Sequence, residues 1–491
     1  MSTNLVLTIA LPLLGAFLLP VLMRSSVAIA LWSGPAILVY GCWTVAELWL
    51  SGFAQPLSIA IGGFAPPLGI NLYVDSLALL FAFAVQLLGL VFWPFTLDQE
   101  SARRQSLMLL PVAASTGLAL SGDLFNLYVF YELAAVATFG LASASGSGAA
   151  YVATLRYLIL SGIGSVLTLF GIALIYSQTG TLNLAHLAQL APAQLNNSLG
   201  LTAFLAILIG IGVKAELFPV NTWVPEIYAT ASTRLSAFLA GLLSKLALLI
   251  ILRLLLLIFH QPEAAQVILI LGILGVISGE LAAWRAKEMK RMLAFSSIGQ
   301  LGMIFIAMAL PDGKGMLAVL ALALHHLIIK SGLFMLAEDW GGALERLRGS
   351  AKASPLGAVL FVLFSLSLVG MPPLPGFWAK FVLITELAAQ VEPLYLLGLT
   401  VFLLATVVEA SYLFRIAATL YGNPAPDTLS EEIPKSKGLS LATASLFGAG
   451  VIAVALLIAP VGDGLQAIAA QAQDVDLYIT TVSPAVSGGS Q

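Results

Sequence analysis

Eight ionisable residues sit inside apolar stretches: Glu132, Lys214, Lys245, His325, His326, Lys330, Lys380 and Glu409. A charged side chain at the centre of a bilayer costs ~2.5–3.5 kcal/mol on insertion scales, so such residues face a cavity or one another and mark ion paths. Standing alone, the two glutamates and four lysines would together cost roughly 15–20 kcal/mol. Mutual pairing and water relieve that cost, and a hydrated chain of alternating acid and base passes protons by hopping. An acid beside a lysine favours its charged form and burial favours the neutral one, so a change in their separation would switch the lysine between holding and releasing a proton. The plainer reading of the same pairs is a set of structural ion pairs.

The individual positions sharpen this. His326 and Lys330 are four apart and share a helix face, and histidine titrates near neutral pH, as a proton relay needs. His325 and His326 are adjacent, point in different directions on a helix and have no evident third ligand, so no metal is expected. Ser296, Ser297 and Gln300 would hold water between charges or make ordinary helix-packing hydrogen bonds. Lys214 would either carry protons or cap carbonyls freed by Pro219. Glu216 would pair with Lys214 or with a partner subunit. Arg253, near the end of its helix, is expected to snorkel to the surface as a structural residue.

The elements that must position these groups are membrane helices. The 491 residues are 60% hydrophobic and only 9% charged, with a mean hydropathy of +1.01, whereas soluble chains are about a quarter charged. About fourteen apolar spans can be drawn, at 4–23, 28–50, 72–96, 107–121, 123–141, 152–177, 201–219, 232–259, 266–284, 293–310, 315–338, 355–390, 393–421 and 440–462. The fold class expected is an all-α polytopic membrane protein. Thirteen basic residues, from Arg24 to Lys435 and Lys437, fall in one set of loops and only Lys314 in the other. The positive-inside rule then makes the first set cytoplasmic and places both termini on the outer face of the inner membrane. The first helix has no basic residue before it and Arg24 after it, which suits a retained helix. Loops 51–71 and 178–200 belong to the outer face, and the tail 463–491 is expected to be mobile.

Two spans are broken. Gly210–Arg253 is interrupted at Pro219 and Pro225, beside Lys214; 366–390 is interrupted at Pro372, Pro373, Pro375 and Gly376, just before Lys380. Broken backbone at membrane depth is tolerated only inside protein or along a wet path, and it is the layout of ion-coupled transporters. The two breaks lie five helices apart, which implies two inverted five-helix repeats. The division expected is 1–106 for helices 1–3, 107–259 and 266–421 for the repeats, and 422–491 for the last helix and tail. The helix after each break carries a central charge, Lys245 in one and Glu409 in the other. Cys42 is the only cysteine, which excludes a disulfide framework and iron–sulfur ligation. With neither a Gly-x-Gly-x-x-Gly run nor a P-loop, no cofactor is expected, and no basic block suggests nucleic acid.

Seven segments carry a resemblance: SGDLFNLYVFYEL, YSQTGTLNLAHL, KAELFPVNTWVPE, LLSKLALLIILR, FSSIGQLGMI, HHLIIKSGLF and MPPLPGFWAKF. In this order, and over roughly 70–460, the chain resembles the antiporter-like membrane subunits shared by respiratory complex I (NADH:quinone oxidoreductase), Mrp-type cation/proton antiporters and membrane-bound hydrogenases. The resemblance implies that Glu132 and Lys214 form a coupling pair, with Lys245, His325, His326, Lys330 and Lys380 continuing the path. It implies proton translocation inside a larger complex, driven by redox chemistry in partner subunits or exchanged for Na+. Length and YSQTGTLNLAHL are similar to the D-type Mrp subunits, and Lys380 argues against the complex I branch with glutamate there. Asn221 and Glu226 stand where many members have histidine and aspartate, Arg156 stands where complex I members often have lysine, and Glu216 matches no family position. Two other classes remain: a stand-alone secondary transporter of a small solute, which needs a midplane pocket, and a structural scaffold, which would have lost its deep charges.

Overall fold

The structure, a computed structural model, describes residues 2–51, 55–95, 101–423 and 438–483. Lys435, Lys437 and the last part of the tail, 484–491, lie outside the described residues. Apart from one hairpin, the regular elements described are helical. Among the described residues nine helices are long and apolar enough to cross a membrane, and three more apolar helices are shorter. The chain is a multi-pass membrane protein by that measure. It divides into two compact units.

The first unit comprises Met1–Val213, Lys245–Ala264 and Ala467–Gln491. Its helices are α1 (Ser2–Ser25), α2 (Val27–Leu50), α3 (Ser76–Val91), α4 (Ser101–Leu120), α5 (Leu124–Ser143), α6 (Gly148–Thr179), α7 (Leu184–Gln194) and α8 (Ser198–Gly212). α1 packs on α2 and α4, α5 on α4 and α6, and α6 on α8. The α6–α8 contact depends on two glycines, because a Cβ on Gly210 would lie 2.3 Å from the carbonyl oxygen of Gly164. Small residues of this kind let membrane helices approach closely. Gln86, buried in α3, ties three helices together by donating from Nε2 to Thr8 O and to Thr116 Oγ1, both at 3.0 Å.

Three stretches differ from the expectations above. The segment 51–71 contributes a strand, β1 (Leu57–Ala60), which pairs antiparallel with β2 (Asn71–Val74) and delays the start of α3 to Ser76. The segment 178–200 is not a plain loop: Asn183 caps α7 by accepting from His186 N at 3.2 Å and donates from Nδ2 to Asn71 Oδ1 at 2.9 Å. The tail is helical through Val482, and its last described helix, Val475–Val482, packs on α7 and β1.

What anchors that tail is Arg253, which does not snorkel. It is only 6% exposed, and its Nη2 meets the Asp75 carboxylate at 2.6 Å. Its guanidinium carbon lies 5.6 Å from the ring centroids of both Tyr73 and Tyr478, within reach of a cation–π contact. Asp75 also caps α3 by accepting from Ala78 N at 2.8 Å. Burial, and then the Asp75 charge, push the Tyr73 phenol up; burial does the same for Tyr478. Both rings therefore stay protonated and offer Arg253 their π faces. The hairpin brings Asp75 to the cation, so a buried pair replaces the route to the surface.

The second unit comprises Lys214–Ser244 and Ala265–Gln466. With the remaining helices numbered in chain order, it contains α9 (Val224–Thr230), α10 (Thr233–Phe238), α12 (Pro262–Arg285), α13 (Met289–Met308), α14 (Met316–Leu336), α15 (Ser350–Ala353), α16 (Pro355–Val369), α17 (Pro375–Ala388), α18 (Pro393–Tyr421) and α19 (Gly438–Leu456). α14 packs on α13, α16, α17 and α19. α11 (Ser244–Leu257) continues the α10 run through a π-helical turn at Leu239–Leu243. After α19 come α20 (Ile458–Gln473) and α21 (Val475–Val482).

Both breaks are present. The first starts earlier than the prolines suggest: α8 ends at Gly212, and Pro225 opens α9 at its first turn instead of breaking a helix. Proline lacks the N–H that a first turn leaves unbonded anyway, so it fits there. The second runs between Val369 and Pro375, with Gly370 at φ 93° ending α16.

Replacing Arg253 with methionine would leave the Asp75 carboxylate buried alone, at a cost of about 3–5 kcal/mol. The expected result is a lower thermal midpoint for the detergent-solubilised protein and faster amide exchange through 475–482. Unchanged exchange there would mean that the cation does not hold the tail.

Candidate functional site

Six of the eight residues singled out from the sequence lie in the second unit, and four elements bring most of them together. Lys380, on the second turn of α17, meets Glu409 of α18 with Nζ 2.7 Å from Oε2, and the side chains are 5% and 0% exposed. Glu409 is held from the other side by Gln300 of α13, whose Nε2 donates to Oε1 at 2.6 Å. Lys380 Nζ also lies 3.5 Å from Val369 O, a carbonyl that the break leaves without an intrahelical partner. One ammonium thus serves both the ion pair and the opened backbone.

α14 turns its titratable residues to neighbouring hydroxyls. Lys330 is fully buried; its Nζ donates to Ser296 Oγ at 2.6 Å and to Leu293 O at 3.2 Å. His326 Nε2 lies 3.2 Å from Ser297 Oγ, and His325 Nε2 lies 3.0 Å from Ser367 Oγ of α16. The adjacent histidines face different helices, while His326 and Lys330 both face α13. Ser296, Ser297 and Gln300, for which the sequence left two roles open, therefore bond directly to a lysine, a histidine and a carboxylate. His325 also borders a cavity of about 250 Å³ among α14, α17, α19 and α20, and among the described residues it is the only ionisable one lining it.

At the first break Lys214 is buried, 3% exposed. Glu216 adopts a left-handed conformation, φ 58°, which costs a non-glycine residue of order 1–3 kcal/mol unless its surroundings fix it. Tyr228 OH donates to its Oε1 at 2.6 Å, and Asn221 Nδ2 donates to its carbonyl oxygen at 3.1 Å. Asn221 thus has a local structural task.

The other two residues belong to the first unit. Glu132, in α5, is half-buried. Its neighbour Tyr131 donates to Ile211 O at 2.9 Å, taking up a carbonyl at the end of α8 where that helix stops. Lys245, separated from the π-helical turn by Ser244 alone, is 1% exposed. Turns of this kind are concentrated at functional sites.

Sequence reasoning passed over Glu280. It lies five residues inside the end of α12, close enough to read as an interfacial charge, yet it is 1% exposed. Its Oε2 accepts from Tyr412 OH at 3.0 Å. The available signal was its setting in GVISGELAAW, where no residue three or four positions away bears a charge.

Residues 121–407 match the family model described as NADH:quinone oxidoreductase/Mrp antiporter, TM. The chain is 32% identical over 455 residues to NADH-quinone oxidoreductase subunit N of Desulforudis audaxviator, covering 87% of this chain and 88% of that one. It is 29% identical over 419 residues to the D-type subunit of the Na+/H+ antiporter of Alkalihalophilus pseudofirmus, covering 81% and 83%. Among solved structures it is similar to a chain of an archaeal respiratory membrane complex, the membrane-bound sulfane sulfur reductase, with a TM-score of 0.90, 29% identity and coverage of 98% and 100%. On the extent of the family match and of these likenesses, the chain belongs to the NADH:quinone oxidoreductase/Mrp antiporter transmembrane family.

Proposed function

We propose that this chain is a proton-translocating membrane subunit of a multi-subunit complex, with other membrane subunits as its partners. The observation that carries the reading is the buried Lys380–Glu409 pair at 2.7 Å, steadied by Gln300 and placed at a helix break. An ammonium held by one carboxylate in a low-dielectric setting keeps its proton while the pair is closed and gives it up as the pair opens. Lys330 and the two histidines, each bonded to a hydroxyl, supply neighbouring groups that accept and return protons. Glu132 is the coupling acid and Lys214 the coupling base, with Lys245 following them; the family resemblance supports these roles.

In this reading the chain has about fourteen spans, with helices 1–3 in 1–106, inverted repeats over 107–259 and 266–421, and the last helix and tail in 422–491. Both termini face outward from the cytoplasmic membrane. The bias of basic residues toward one set of loops supports that orientation. The force that opens the pairs comes from redox chemistry in partner subunits or from cation exchange. Likeness to an NADH-quinone oxidoreductase subunit and to a Na+/H+ antiporter subunit supports either branch. A solute carrier is the weaker reading, because the 250 Å³ cavity beside His325 is lined by apolar side chains and offers a polar solute few hydrogen-bonding groups.

Two outcomes are expected. Glu132→Gln and Lys214→Ala each abolish proton transport in membrane vesicles while the complex still assembles on a native gel; transport surviving in both would rule out the coupling pair. Lys380→Met leaves Glu409 buried without its cation and should cost about 3–5 kcal/mol of stability. Adding Glu409→Met should restore much of that stability without restoring transport. A double variant that pumps normally would make the pair purely structural.

A further inference from the structure

We propose that a basic cavity at one end of the second unit holds the phosphate headgroup of an anionic phospholipid, whose acyl chains lie along α12. None of the residues that form it belongs to the proton path.

The cavity has a volume of about 1090 Å³ and lies where the end of α12, the 3-10 turn Leu344–Leu347 and the last turns of α18 meet. Arg285, Lys287, Arg346, Arg348 and Arg415 line it, and Glu345 is the only acid among the described lining residues. All five cations are exposed. Five like charges against one carboxylate repel one another, and an anion set among them relieves that repulsion. Guanidinium forks and a lysine point charge are the side chains that suit phosphate oxygens.

The frame that carries these cations is tied by hydrogen bonds. Leu344 N donates to Lys287 O at 2.8 Å and Met289 N to Gly342 O at 3.1 Å, which joins the loop after α12 to the 3-10 turn. Gly349, at φ 84°, donates from N to Thr419 O at 3.4 Å and fastens the end of that turn to α18. Arg415 Nη2 donates to Trp284 O at 2.8 Å, one of the carbonyls that the end of α12 leaves open. That bond uses one guanidinium N–H and leaves four more on the same group for an anion. Cations from separate elements are thus held around one space.

The surface beside the cavity makes the anion a lipid. Along α12, Ile270, Leu274, Ile277, Leu281 and Trp284 are exposed, and spacings of four and three put them in one stripe. The stripe ends at Trp284, which lines the cavity. On α18, Phe414 is exposed next to Arg415, and Tyr421 is exposed at the end of the helix. Tryptophan and tyrosine collect at the headgroup level of a bilayer, so the cavity faces the headgroup layer and the stripe faces hydrocarbon. A soluble phosphate uses the cations alone, whereas a phospholipid uses both surfaces. Basic pockets between membrane helices suit anionic headgroups, and the orientation proposed above puts this one in the cytoplasmic leaflet.

The test uses the whole purified complex in phosphatidylcholine nanodiscs. Phosphatidylglycerol or phosphatidylcholine bearing the same diazirine-labelled acyl chain is added, and cross-linked peptides are identified by mass spectrometry after illumination. Each basic side chain at an anionic lipid is worth about fivefold in binding. Phosphatidylglycerol should therefore label 277–284 at least about tenfold more than phosphatidylcholine does. The triple variant Arg285→Gln/Lys287→Gln/Arg348→Gln should lose that preference. Arg103→Gln/Arg104→Gln, which neutralises cations at the start of α4, should keep it. If the triple variant does not assemble, Lys287→Gln alone decides, with an expected loss of about fivefold. Equal labelling by the two lipids, or labelling by neither, overturns the site, as does an unchanged preference in the variant that decides. A preference lost equally in the α4 variant overturns it too, since any basic helix end would then serve. Displacement by inorganic phosphate, with chloride of equal ionic strength inert, overturns the lipid and gives the cavity to a soluble anion.

Discussion

A charge removed from water needs an opposite charge or a full set of hydrogen bonds, and the packing of both units follows from meeting that need. Arg253 meets it with Asp75 and two aromatic faces. Lys380 meets it with Glu409, which is completed by Gln300. Lys330 meets it with a serine hydroxyl and a backbone carbonyl. Buried ion pairs are poor stabilisers, since replacing both partners by apolar residues of similar volume is often neutral or better. The Arg253 pair fixes a tail, which is a structural return. The Lys380 pair joins two helices that already pack on each other, so helix packing alone does not call for it.

Backbone breaks and charges occur together for the same reason. Ending a helix at membrane depth frees carbonyls that only polar groups can satisfy. At the second break Lys380 reaches Val369 O; at the end of α8, Tyr131 reaches Ile211 O. A side chain polar enough to serve the opened backbone is also one that can carry or orient a proton. The capping and transport readings of a lysine at such a break are thus not exclusive, and for Lys380 the same ammonium makes both contacts.

Much of this was legible in one dimension. Lysines beside prolines in apolar runs identified the breaks, and i,i+4 spacing put His326 and Lys330 on one face, which the structure turns toward α13. Illegible features depended on distant partners or on local geometry without a residue signature. Asp75 is 178 residues from Arg253, so the sequence could only assume that the arginine reached water. LAGLL at 239–243 reads as ordinary helix, and nothing in it announces the π-helical turn before Lys245. Pro225 misled because a proline at a first turn and a proline in a helix interior look alike until the preceding turn is known. Glu280 drew no reading because nothing in GVISGELAAW tells whether that end of the helix is covered, and its packing against Gly299 of α13 and Tyr412 of α18 decides its burial.

The polar residues of α13 do more than fill space between charges. Ser296, Ser297 and Gln300 contact Lys330, His326 and Glu409 respectively, so one helix holds three titratable groups on its neighbours. Hydrogen bonds weaken steeply once donor and acceptor separate beyond about 3.5 Å. A displacement of α13 of about an ångström would therefore loosen all three contacts together, whereas water-mediated links would absorb it. Direct contacts make the three groups respond to such a displacement as a set.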